Sequence, residues 1–163
     1  MRLDLYHAKK NHFYYVDFIC LHATHAFSFG IPKGVIDTYL NKKFPMEKYT
    51  ITIDHPITKF KKEIEKIELC GNWSEQLTST SGEFCVYAQL RWNKSNGDIE
   101  LSKINLLKIN AKELGELPSS ISQSLNATVL SLLDGTCVYH MTEFMGKQIE
   151  SIHVEETNLY FKF

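Results

Sequence analysis

Arginine is nearly missing from this chain. Among its 163 residues only Arg2 and Arg91 carry a guanidinium, so no cluster of forked donors exists for the phosphates of a nucleotide. Charge of one sign is missing as well. The 18 basic and 19 acidic side chains leave a formal net charge of −1, which offers no electrostatic footprint to nucleic acid or an anionic membrane. Even the lysines Lys59, Lys61, Lys62 and Lys66 are interleaved with Glu63, Glu65 and Glu68, the pattern of a solvated face. Long apolar runs are absent too: the most hydrophobic stretch, residues 13–29, is interrupted by Asp17, His22 and His25 and is too short to span a bilayer. There is no CxxC, CxxxH or HExxH spacing, so no metal site is expected. No GxSxG elbow marks a serine hydrolase of that type, no glycine-rich loop marks a phosphate-loop nucleotide site, and no cofactor is implied. The four cysteines, Cys20, Cys70, Cys85 and Cys137, lie far apart in apolar stretches and read as buried thiols rather than a disulfide frame. No clean secretory leader opens the sequence, which makes the cytoplasm the expected compartment.

What is present is ordinary globular material: 44% hydrophobic and 23% charged residues, enough for a single domain over 1–163. Residues 2–6 alternate as one short strand. Residues 13–29 are apolar on nearly every side, which predicts a buried helix stopped by Gly30 and Pro32. A shorter helix is expected over 33–41, ending before Pro45, and a strand over 49–53. After Pro56, Ile57, Phe60, Ile64 and Ile67 recur at helical spacing, but 67–73 alternates with period two, and the stretch reads as an irregularly opened strand. Strands over 83–92 and 98–109 flank Asn96-Gly97, a hairpin signal. From Ser119, the residues Ile121, Leu125, Val129 and Leu132 form an apolar helical stripe closed by Asp134-Gly135, and two strands over 136–145 and 148–163 turn around Gly146. The class is α+β, an antiparallel sheet wrapped around a buried helix.

Two polar groupings could carry chemistry. Asp17, Thr24 and Ser28 fall at i, i+7 and i+11 on the apolar helix, with His25 beside them. Leaving such groups unpaired in a core costs roughly 1–3 kcal/mol each, so they either form a cleft or satisfy one another at a seam. His7, His12, His22 and His25 form the second group; a pair three apart on a helix can face one site, though hydrogen-bonded or partly exposed histidines are the commoner outcome. The 12% aromatic content suggests apolar surface beyond one small core, as in a homodimer.

The stretch Tyr6-His7-Ala8-Lys9-Lys10-Asn11-His12-Phe13, followed by Val16, Asp17, Ala26-Phe27-Ser28 and Pro32, resembles the central-helix region of FcoT-type fatty-acyl-CoA thioesterases, which have the hotdog fold. Thr58-Lys59-Phe60-Lys61-Lys62-Glu63-Ile64 is similar to a strand opening common in hotdog proteins, and the segment from Cys85-Val86 through Asn96-Gly97-Asp98-Ile99-Glu100-Leu101 resembles that family's final hairpin. His25-Ala26 through Gly30-Ile31-Pro32 is similar to the hotdog domains of butyrolactone-autoregulator synthases. The resemblance covers about residues 1–108 and leaves 112–163 as an extension. It implies a hotdog-like homodimer that handles acyl-CoA or an acyl-carrier protein and hydrolyses the thioester. Asp17 or His22 would then orient or deprotonate water, helped by Thr24, and Tyr6 would hold the oxyanion. The acyl chain would lie along Phe13, His25 and Phe27. Ala23 occupies the position of the family's helical asparagine. The resemblance leaves two other activities open: a 3-hydroxyacyl dehydratase with His12 as base and Asp17 as acid, and a non-catalytic acyl-binding or structural protein.

Overall fold

A computed structural model describes residues 27–112, 117, 119–142 and 148–163. Two antiparallel sheets and two helices share one hydrophobic core. The larger sheet has six strands in sequence order: β2 (Met46–Lys48), β3 (Ile51–Lys61), β4 (Lys66–Glu75), β5 (Thr80–Asn93), β6 (Asp98–Ala111) and β7 (Cys137–His140). The smaller one orders β1 (Ser28–Pro32), β9 (Asn158–Lys162) and β8 (Ser151–Val154). Helix α1 (Lys33–Lys43) follows β1, and α2 (Ser119–Leu133) lies between β6 and β7.

Period-two alternation explains the large sheet. Ile67, Leu69 and Trp73 on β4, and Phe84, Val86 and Ala88 on β5, all point inward and are fully or nearly fully buried. The outer face carries Lys59, Lys61 and Glu68, which pair with one another across β3 and β4. Asn96-Gly97 makes the turn between β5 and β6, with Gly97 at a φ of 78°.

The helices require the sheet to curl. Helix α1 packs against both β3 and β7, which lie four strand spacings apart, roughly 19 Å in a flat sheet. A helix is only about 10–12 Å across, so the two ends of the sheet must approach each other around it. Irregular register at Asp54/Ile57, Cys85/Val86, Tyr87/Gln89 and Ile99/Glu100 supplies the bending. Ile36 and Leu40, four apart on α1, face the core, and Tyr39 meets Tyr139 of β7 with ring centroids 5.5 Å apart. Asp37 accepts from Lys33 at 2.6 Å and from the buried hydroxyl of Thr58, which fixes α1 to β3. Helix α2 closes the other end, touching β2, β3 and β6 and burying Leu125, Val129 and Leu133.

The α+β class and both shorter helices follow the sequence pattern, as do the main strands of the large sheet, whereas the single strand expected over 148–163 is two, β8 and β9, paired with each other. Three expectations are corrected in part. The apolar helix over 13–29 lies outside the described residues up to position 26, and at its C-terminal end the chain is a strand: Ser28 to Pro32 pairs with Lys162 to Asn158. Gly30 therefore stops no helix; it sits under the ring of Tyr160, where an added Cβ would come within 2.9 Å of the ring. Pairing with the distant C-terminal strand overrides local pattern here, as β structure often does. The stretch after Pro56 is strand, as expected, but it is divided between β3 and β4 by a 3-10 turn at Lys62–Ile64, and the helical spacing of its isoleucines is coincidental: Ile57 and Ile64 are exposed while Ile67 is buried. Finally, Cys70 and Cys85 are not free thiols but a disulfide. They lie opposite each other on β4 and β5, a neighbourhood that sequence separation alone conceals.

Candidate ligand pocket

The N-terminal end of α2 does not seal against the sheet. Between it and the ends of β3, β4 and β5 lies a pocket of about 610 Å³, within the range of small-molecule sites. Its apolar wall comes from Ile51, Trp73, Leu77, Leu117, Ile121 and Leu125. Four of these wall residues follow from a local rule. Ile51 and Trp73 hold inward positions at strand ends, whereas Ile121 and Leu125 are four apart on one side of α2. The indole is fixed in place, because Trp73 Nε1 donates to the Asn110 carbonyl at 3.0 Å. Gly82, directly across from Trp73 in the sheet, leaves the room for that ring.

The polar rim consists of Thr50, Glu75, Thr78, Thr80 and Ser124. Glu75 organises it. The hydroxyls of Thr50 and Thr78 and the backbone N–H groups of Thr78 and Leu77 hold its carboxyl at about 2, well below its ordinary value. Thr78 contributes at 2.7 Å through nitrogen and 2.6 Å through oxygen, and Leu77 at 3.1 Å. This carboxylate thereby closes the turn between β4 and β5 and leaves Leu77 exposed at the pocket mouth.

A second cluster surrounds the edge strand β7. His140 Nδ1 lies 2.8 Å from Asp98 Oδ1, and Asn96 donates to the other oxygen of that carboxylate at 2.8 Å. Cys137 is close to the same aspartate, but burial and then Asp98 push its thiol up to about 11. A protonated thiol is a poor nucleophile, so the cluster has no activated attacking group. Glu100, buried on β6, is held by Arg91 at 2.7 Å and Asn93 at 2.8 Å, an internal clamp.

Of the residues expected to act, Tyr6, His12, Phe13, Asp17, His22, Thr24 and His25 lie outside the described residues. Phe27 is described and is largely exposed, its ring 5.7 Å from that of Phe163 and away from the pocket wall. Ser28, expected on the helical polar stripe, lies on β1. The pocket itself escaped sequence reading, although its signal was present: the stripe of Ile121 and Leu125 on α2 has more apolar surface than the sheet end covers.

No protein-family model matches the chain, and no curated protein is similar enough to it to match. Among the described residues, no helix is long and apolar enough to cross a membrane, and no group of three His, Cys, Asp or Glu side chains could hold a metal.

Proposed function

We propose that this protein binds a straight apolar chain, such as the acyl part of a fatty acyl thioester, in the pocket between α2 and the curled sheet. One observation carries this reading: a pocket of about 610 Å³ lined mainly by the aliphatic and aromatic side chains Ile51, Trp73, Leu77, Leu117, Ile121 and Leu125, with Glu75 as its one ionisable group among the described residues. Burial of each methylene is worth about 0.8 kcal/mol, so chain length supplies the affinity and the rim orients the polar end. A hotdog-like arrangement, with a helix held inside a curled antiparallel sheet, is the fold we propose for it. The curl and the packing of both helices onto the sheet support that reading. Hydrolysis of the bound thioester by Asp17 or His22, with Tyr6 at the oxyanion, is the reaction we propose for the N-terminal residues, working in a homodimer.

Calorimetric titration with straight-chain alcohols of increasing length tests the binding. Affinity is expected to rise about fourfold per methylene until the pocket is full, and binding that is undetectable or indifferent to length overturns the proposal. Turnover of decanoyl-CoA tests the chemistry separately. Asp17→Asn keeps the shape of the side chain and removes its basicity, and is expected to lower the rate by about a hundredfold; wild-type protein that binds alcohols but releases no thiol is an acyl-binding module without hydrolase activity.

A further inference from the structure

The charge at the pocket mouth restricts what kind of head the ligand can have. Among the described lining residues there is no lysine, arginine or histidine, and the one ionisable side chain is Glu75. Its four donors keep it ionised across the physiological range. The usual carrier of a free fatty acid holds the carboxylate with a cation or a set of donors; here the same position faces a second carboxylate whose donors are already committed. Thr80 and Ser124, also on the rim, carry hydroxyls that can donate to an uncharged oxygen.

We infer that the pocket discriminates against fatty carboxylates and takes chains whose polar end is uncharged, such as an ester or an alcohol. The inference rests on the apolar-chain reading of the pocket and adds the selection at its mouth. A ligand entering with its tail against Trp73 and Leu125 brings its head past Glu75, where an anion meets like charge and an uncharged head does not. Two unit charges about 4 Å apart in water-like surroundings repel enough to change an equilibrium about fivefold. Selection of that size would let an enzyme or carrier release a free acid while retaining the uncharged precursor.

The experiment compares decanol with decanoate at neutral pH by calorimetry, in the wild type and in two variants. Decanol is expected to bind at least about fivefold more tightly than decanoate to the wild type. Glu75→Gln narrows the gap, and Ser124→Lys, which adds a cation to the rim without touching the Glu75 turn, narrows or reverses it. Thermal melting of each variant identifies one that fails to fold, and the other then decides. Equal affinity for the two ligands in the wild type, or a gap unmoved in both folded variants, overturns the head-group inference and leaves the pocket reading standing. Failure of both ligands to bind overturns the pocket reading itself, and this inference with it.

Discussion

The indole of Trp73 lies across Gly82, and its hydrogen bond depends on that glycine. Trp73 Nε1 reaches the Asn110 carbonyl at 3.0 Å only because Gly82 has no side chain; a Cβ there would lie 1.7 Å from the same carbonyl oxygen and 2.7 Å from the indole nitrogen. Since the obstruction is backbone, it cannot swing aside. Gly82→Ala is therefore expected to destabilise the protein by about 1–3 kcal/mol and to disturb the floor of the pocket. Urea unfolding checks the first effect and alcohol binding the second. A variant with unchanged midpoint and unchanged affinity would show that the sheet end yields without cost.

The Cys70–Cys85 bond crosses β4 and β5 on the face away from the core and closes a loop of 15 residues. A cross-link of that span restrains the unfolded chain by about 3 kcal/mol in the loop-entropy account. Treatment with a reductant is expected to lower the urea midpoint by an amount of that order and to release two thiols beyond those titrated without it. The double variant Cys70→Ser, Cys85→Ser should behave like the reduced wild type and be insensitive to reductant. An unshifted midpoint on reduction would mean that the hairpin from β4 to β5 is held by its ladder alone.

Much of this architecture was legible because it depends on local signals. The alternation of 67–73, the Asn96-Gly97 turn, and the Ser119 to Asp134 helix each carry their own period or turn residue, and all three stand in the structure. What could not be read depends on which distant segments meet. Residues 28–32 become a strand because 158–162 lie beside them, and nothing within five residues of Gly30 announces that partner. The disulfide has the same origin: Cys70 and Cys85 become neighbours only once the β4–β5 register is set. The pocket is a third case, since it arises where α2 and three strand ends fail to meet, and no single segment encodes a gap. The expected site residues on 6–25 lie outside the described residues, so the legibility of the site turns on Phe27, which lines no part of the pocket.

Glu75 ties acid sensitivity to the pocket mouth. Its folded-state value of about 2 lies below the ordinary 4.5, so its contribution to stability is present in full above the ordinary value and disappears as pH falls towards 2. Glu75→Gln keeps one acceptor oxygen for the turn but cannot titrate. The stability difference between wild type and variant is thus expected to shrink progressively as pH is lowered through this window, with wild type the more stable at neutral pH. Chemical denaturation at a series of pH values measures the difference; one that stays constant with pH would remove Glu75 from the acid response.

The pocket wall can be altered in opposite directions on one side of α2. Ile121 is 52% exposed and lines the pocket, whereas Leu125, one turn further, is 3% exposed and reaches the core. Ile121→Trp adds volume where solvent is already near, so folding should hardly change while the cavity loses the space for a chain; alcohol affinity is expected to fall by about tenfold or more, equivalent to losing about two buried methylenes. Leu125→Ala removes packed volume, which costs about 2–5 kcal/mol of stability but lengthens the cavity. Provided the variant remains folded at the temperature of the measurement, its optimum alcohol is expected to be longer than that of the wild type. Calorimetry across the alcohol series reads both effects at once. A tighter fit for long chains in Leu125→Ala, combined with loss of binding in Ile121→Trp, requires the chain to lie between α2 and the sheet; variants that leave the length profile untouched would place the apolar ligand elsewhere on the protein.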